Sequence, residues 1–240
     1  MKRGDGRLFN QLRNLKITPG FLSFAEGSVL IEMGNTRVIC AVTLDEKVPP
    51  FLKNTGRGWV TAEYSMLPRS TLTRNQRESV QGKISGRSQE IQRLIGRSLR
   101  AVTDLGAFGE RQLIVDCDVV QADGGTRTAS ITGAYVALYQ AFSQMKSMGL
   151  IKNMPLKNAV AATSAGIVRS NMLLDLCYEE DSQAEVDFNV VMTDQGLFVE
   201  VQGTAENKPF SRDSLQNLIN LAGEGINQLF EAQRQVIKTL

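Results

Sequence analysis

The chain has 240 residues, 42% of them apolar and 22% charged, with no histidine and a formal net charge of +2. That balance belongs to a globular protein and excludes a disordered chain; the missing histidine excludes Ser-His-Asp triads, Cys-His dyads and HExxH zinc sites. Three cysteines at long spacings, with no CxxC pair, speak against a disulfide framework or a cysteine metal site, and no run approaches the ~18 apolar residues of a membrane span.

Catalysis in such a chain must rest on carboxylates, arginine or lysine, hydroxyls, backbone amides or a metal ion. The start, Met1-Lys-Arg-Gly-Asp-Gly-Arg7, is basic with no apolar run behind it. A secretory signal is therefore not expected, and a reducing cytoplasm is the expected compartment.

In chain order, Phe21–Phe24, Ser28–Met33 and Thr36–Thr43 read as strands of a meander, with Gly34-Asn35 as a hairpin turn. Residues 45–83, rich in Pro, Gly, Asn, Thr and Arg, read as a long exposed excursion of the kind that is more often functional than idle. A helix follows, capped near Ser85-Gly86 and stopped by Gly106 and Gly109. Ile91, Leu94, Ile95, Leu99 and Val102 form its apolar stripe, with Arg93, Arg97 and Arg100 on another face. Gln112–Gln121 reads as a strand running through Ala122–Thr128 into a second helix, whose apolar face is Ile131, Ala134, Tyr135, Leu138, Ala141, Phe142 and Met145. The second half repeats the pattern. Strands are predicted at 159–168, 172–176, 185–193 and 196–202, with a turn at Asp194-Gln195-Gly196 and a long last helix capped by Ser211. The whole reads as α+β, two similar β-then-α halves sharing one core, in a single domain over residues 1–240.

The small net charge conceals an asymmetry. Residues 1–100 carry 17 basic and 8 acidic residues, and residues 101–240 carry 10 and 17. Eight basic residues fall within 64–100, as a surface for a polyanion would have them, or as a solvated helix face would.

Four places carry candidate chemistry. Asp123-Gly-Gly-Thr-Arg127 lies at a strand-to-helix junction, where glycines let amides approach an anion, Thr126 adds a hydroxyl and Arg127 a planar fork; a plain turn with a helix cap is the competing reading. Arg87 lies at another helix start, and the two arginines converge on one phosphate if the halves pack side by side; alone, Arg87 reads as a surface charge. Asp181 and Asp187 lie in an acidic run, where two carboxylates brought together hold Mg²⁺ or supply an acid for a leaving oxygen, unless the run is a solvated loop. Arg69, Arg74 and Arg77, spaced irregularly among hydroxyls, suit a phosphodiester backbone or a subunit interface.

Taken in order, these stretches resemble the ribonuclease PH family. The resemblance is carried by Gly4–Arg7, Gly27–Thr36, Ser85–Arg100, Asp116–Ala134 and Asp175–Thr193, and it extends over essentially the whole chain. It implies the family's fold, which is ribosomal protein S5 domain 2-like. The implied activity is phosphorolytic 3′-to-5′ trimming of precursor tRNA and other RNA 3′ ends, with nucleoside diphosphates released and nucleotide addition as the reverse reaction. It further implies a homohexamer, a trimer of dimers. On the matching positions, Arg87, Gly125, Thr126 and Arg127 hold the attacking phosphate, Asp181 and Asp187 are metal ligands for Mg²⁺ or the acid, and Arg69, Arg74 and Arg77 engage tRNA. The missing histidine then has a reason: inorganic phosphate, the co-substrate, is already a nucleophile and needs no base. Two other readings compete, a silent ring subunit that only grips RNA and a hydrolytic metal-dependent nuclease. The first would lack the phosphate arginine or the carboxylates, all of which this chain keeps.

Overall fold

A computed structural model describes residues 3–206 and 208–240, so the first two residues of the basic start lie outside it. A five-stranded sheet has β1 (Leu15–Pro19), β2 (Gly27–Met33), β3 (Thr36–Asp45), β5 (Gln112–Gln121) and β4 (Trp59–Met66) in that spatial order. Every pairing is antiparallel except β4 with β5. That parallel pair needs a crossover, and the chain supplies one through α1 (Glu78–Gln81) and α2 (Gly86–Ala101). A second, antiparallel sheet has the order β7 (Asn171–Leu174), β6 (Val160–Val168), β8 (Val186–Thr193), β9 (Phe198–Ala205). The one-turn α4 (Tyr178–Asp181) joins β7 to β8, and α5 (Arg212–Ile237) closes the chain.

Between the sheets runs α3 (Thr126–Ser147), packed on β2 and β3 of the first and β6 of the second. It is buried almost all round, and its sequence is apolar on more than one face, as a central helix requires. Gly133 admits the sheet: a Cβ there would lie 2.7 Å from Ile31 Cγ2 and 3.0 Å from Cys40 Sγ. From α5 the buried Gln233 side chain donates to the carbonyls of Thr132 and Val160, both at 3.0 Å, and so ties α5, α3 and β6 together. One apolar cluster contains side chains from both sheets, α2, α3 and α5. The α+β reading of two halves on one core holds.

Two expectations fail. Phe21–Phe24 is not a strand: Gly20, at φ +65°, turns the chain after β1, and Phe24 is fully exposed. The strand lies earlier, where Leu15 and Ile17 alternate against β2. Nor is 45–83 one open excursion. Within it Val60, Ala62 and Tyr64 alternate inward from β4, a period-2 signal hidden by the polar residues on either side. Small shifts occur elsewhere. For example, α2 ends at Ala101, ahead of Gly106, where Val102 enters the core and Thr103 forms a bridge to Leu156.

The charge asymmetry acquires a structural meaning here. Arg3, Arg13 and Arg97 of the basic half pair with Glu180, Asp175 and Glu200 of the acidic half. Arg100 turns away from solvent, stacking 4.4 Å above the Trp59 ring and donating to the Val60 carbonyl. Part of the basic surplus therefore joins the halves instead of facing a polyanion.

Candidate active site

The start of α3 is built by two consecutive glycines with left-handed backbone, Gly124 (φ +74°) and Gly125 (φ +63°). Sterics as well as φ demand them. A Cβ on Gly124 would lie 2.5 Å from the Leu176 carbonyl oxygen, and one on Gly125 2.9 Å from Arg13 Nη2. Gly125 is the N-cap and has no side chain to satisfy the first amides of α3, so these keep their capacity for an anion alongside the positive end of the helix dipole. The Thr126 hydroxyl, next in the chain, shares a 2.9 Å hydrogen bond with the buried Tyr64 hydroxyl of β4. Half-buried Arg127 donates from Nη1 to Gln202 Oε1 of β9 at 2.8 Å, and Gln202 Nε2 donates on to Glu90 of α2 at 3.3 Å.

A second helix start lies nearby, on the helix that this Gln202–Glu90 bond reaches. Ser85 caps α2 by accepting from the Ser88 amide at 3.1 Å, and Glu78 of α1 accepts from the Ser88 hydroxyl at 2.6 Å. Arg87, on the first turn, is exposed. The positive charges of Arg87 and Arg127 both act on Tyr64, Asp181 and Asp187, so the two arginines and two carboxylates lie within electrostatic reach of one another.

Of the two carboxylates, Asp181 ends α4 and is exposed, while Asp187 sits half-buried on β8 and accepts from Asn189 Nδ2 at 3.1 Å. Desolvation is the largest influence on both and pushes both carboxyls above their ordinary value. The Asp187 charge pushes Asp181 further, Glu206 adds to both, and the two arginines oppose the rise without cancelling it. A carboxyl of this kind is suited to protonating a departing oxygen. As to a metal, no group of three or more His, Cys, Asp or Glu side chains among the described residues forms a ready cage. Two carboxylates crowded by like charge still fit Mg²⁺, which takes one or two carboxylates and completes its shell with water and substrate phosphate.

The structure thus gathers Arg87, Gly125, Thr126, Arg127, Asp181 and Asp187. Among the described residues no hydrogen bond or ion pair ties Arg69, Arg74 or Arg77 to these six. They lie exposed between β4 and α1, and the contact recorded for Arg69 is local, Nη1 to the Leu72 carbonyl at 3.0 Å. Exposed, and without a carboxylate partner among the described residues, these cations are open to a polyanion. Replacing all three by alanine is expected to weaken RNA binding and flatten its salt dependence by roughly 0.7 in log–log slope per lost phosphate contact. Titrations of affinity at several salt concentrations check this, and an unchanged slope would assign the three to subunit contacts. Sequence reasoning missed Tyr64, Gln202 and Glu206. For Tyr64 the alternation of β4 was the available signal; Gln202 and Glu206 gave none.

The chain matches two family models, the 3′ exoribonuclease family, domain 1, over residues 11–143 and the same family, domain 2, over residues 158–225. It is 66% identical over 236 residues to the ribonuclease PH of Dehalococcoides mccartyi strain BAV1, covering 98% of each chain. Against the ribonuclease PH of Syntrophomonas wolfei it is 59% identical over 237 residues, 99% of each. Among solved structures, rice Rrp46 superposes with a TM-score of 0.79 at 21% identity, covering 98% of this chain and all of that one. An Archaeoglobus fulgidus exosome with RNA bound to the active site gives a TM-score of 0.80 at 21% identity, covering 100% of this chain and 93% of that one. At that identity the two structures speak to the fold alone.

Proposed function

The chain belongs to the ribonuclease PH family, and we propose that its two facing helix starts grip inorganic phosphate as the attacking group. It is a phosphorolytic 3′-to-5′ exoribonuclease of tRNA processing, a nucleotidyltransferase when run in reverse. The observation that carries the phosphate reading is the nearness of the two helix starts, linked from Arg127 through Gln202 to Glu90 of α2, with Arg87 and Arg127 both acting on Asp181 and Asp187.

The chemistry requires two anions, phosphate and the terminal phosphodiester, to be held in line. Arg87, Arg127, the Thr126 hydroxyl and the Gly125 amide offset their repulsion and orient the nucleophile. An oxygen of orthophosphate attacks the terminal phosphorus, the bond from phosphorus to the 3′ oxygen breaks, and a nucleoside 5′-diphosphate leaves. The shortened RNA keeps a 3′ hydroxyl whose proton comes from the Asp181/Asp187 pair. The carboxylate of the pair that does not carry this proton would hold Mg²⁺, which when bound supplies positive charge to offset that of the departing oxygen. The Gln202 bridge holds the Arg127 guanidinium in place.

We place the working enzyme in the cytoplasm as a homohexamer, a trimer of dimers, acting on precursor tRNA and other RNA 3′ ends. The apolar side chains left exposed, among them Phe24, Phe51, Leu72, Leu197 and Phe198, support burial in an assembly. No helix among the described residues is long and apolar enough to cross a membrane.

The test is incubation with 3′-extended tRNA, with and without phosphate. Diphosphates released only when phosphate is present are the expected result. Monophosphates released in its absence would replace this mechanism with hydrolysis, and RNA binding without any release would make the chain a silent ring subunit.

A further inference from the structure

Beneath the Asp123–Gly125 loop lies a charged assembly that the reaction steps do not use. Asp175 is fully buried and holds a left-handed backbone, φ +52°, uncommon for a residue with a Cβ. Its carboxylate accepts three hydrogen bonds from Arg13: the backbone N–H at 2.8 Å, Nε at 3.0 Å and Nη2 at 2.6 Å. Its carbonyl accepts from Arg3 Nη2 and Arg7 Nη1, each at 3.0 Å. Arg13, fixed in this way, directs its remaining N–H groups to the phosphate loop. Nη1 donates to the Asp123 carbonyl, and Nη1 and Nη2 both approach the Gly124 carbonyl at 3.4 Å. Thr36, also fully buried, donates its hydroxyl to that same carbonyl at 2.7 Å and accepts from the Asp123 N–H at 3.0 Å.

In a trans peptide the C=O and the following N–H point in opposite directions. Holding the carbonyls of Asp123 and Gly124 inward therefore aims the N–H groups of Gly124 and Gly125 away from Arg13. Neither N–H has an acceptor among the described residues. The assembly reaches the acid as well. The Asp123 side chain accepts from the Tyr178 amide at 3.1 Å and so caps α4, while Arg3 grips Glu180 of α4 from Nε at 2.7 Å and Nη2 at 2.5 Å. Asp181 is the next residue.

We infer that Arg13 and Asp175, with Thr36, are positioning residues for phosphate: they turn the loop carbonyls inward so that the loop amides face the attacking anion. The inference rests on the phosphate reading given above. Lysine at position 13 keeps the charge but loses the fork that spans Asp175 and two carbonyls. Valine at position 36 keeps the shape but loses the hydroxyl.

The experiment is steady-state kinetics of Arg13→Lys and Thr36→Val with phosphate and RNA varied separately, beside thermal melts. KM for phosphate should rise about 10–100-fold in Arg13→Lys, the scale of a misplaced binding group, and by a smaller factor in Thr36→Val. KM for RNA should be unchanged in both. A merely structural role would lower the melting temperature and leave KM for phosphate unmoved, which overturns the inference. If Arg13→Lys fails to fold, Thr36→Val decides alone: a folded variant with the parent's KM for phosphate refutes it. Monophosphate release without phosphate by the parent enzyme would defeat the phosphate reading itself, a different result from either.

Discussion

Arg127→Ala should lower turnover by about 10²–10³-fold, the scale seen when one preorganised donor to a developing charge is removed, while RNA affinity holds. The residue sits on the first turn of α3, half-buried, with one guanidinium nitrogen committed to Gln202. The rest of the fork has no acceptor among the described residues and can take two phosphate oxygens. A charge-assisted contact of this kind is worth about 1.5–3 kcal/mol, which corresponds to one to two powers of ten, and in-line alignment of two repelling anions adds to that. Loss of the side chain leaves Arg87 and the helix amides in place, so weak phosphate binding survives and turnover does not vanish. On the proposed reading the RNA backbone is engaged by other exposed cations, Arg69, Arg74 and Arg77 among them, which is why affinity for RNA should be retained. Single-turnover and binding measurements on the same variant check both halves of this expectation. Near-normal turnover would remove Arg127 from the clamp.

The elements that frame this site were legible because their signals are local. Ser85-Gly86, and two glycines before Thr126, mark helix starts by chain chemistry alone. The apolar stripes of α2 and α5 follow from spacing. Local signals also misled. Phe21–Phe24 has strand composition but follows a glycine that turns the chain, and β4 is diluted by the loops around it. The convergence of two helix starts was conditional in the sequence on how the halves pack, and packing is a long-range fact. The assembly under the phosphate loop was not legible at all. Arg13 and Asp175 are 162 residues apart, and neither belongs to a motif whose spacing announces the other. Sequence asymmetry of charge pointed to a polyanion, yet several of its members serve as cross-half ion pairs, because a basic half and an acidic half also complement each other.

Asp187→Asn should cost turnover by about 10²–10⁴-fold, the range for a lost general acid, without lowering stability at neutral pH. The second clause follows from the sign of the proton affinity. Desolvation, and then Glu206, hold the Asp187 carboxyl above its ordinary value in the folded chain, against Arg127, Asn189 and Arg87. A carboxyl that binds its proton more tightly folded than unfolded favours the fold below its unfolded pKa, and that advantage disappears as pH rises through the folded value. Above that window the ionised Asp187 is a cost that asparagine does not carry, and the amide oxygen still accepts from Asn189. The variant should therefore melt at or above the parent's temperature at pH 7, and lose that advantage below the ordinary carboxylate range. Thermal melts at the two pH values decide. A variant that melts lower at pH 7 would show that the arginines outweigh burial, making Asp187 a structural ion-pair partner and not a carboxyl kept ready to give up a proton.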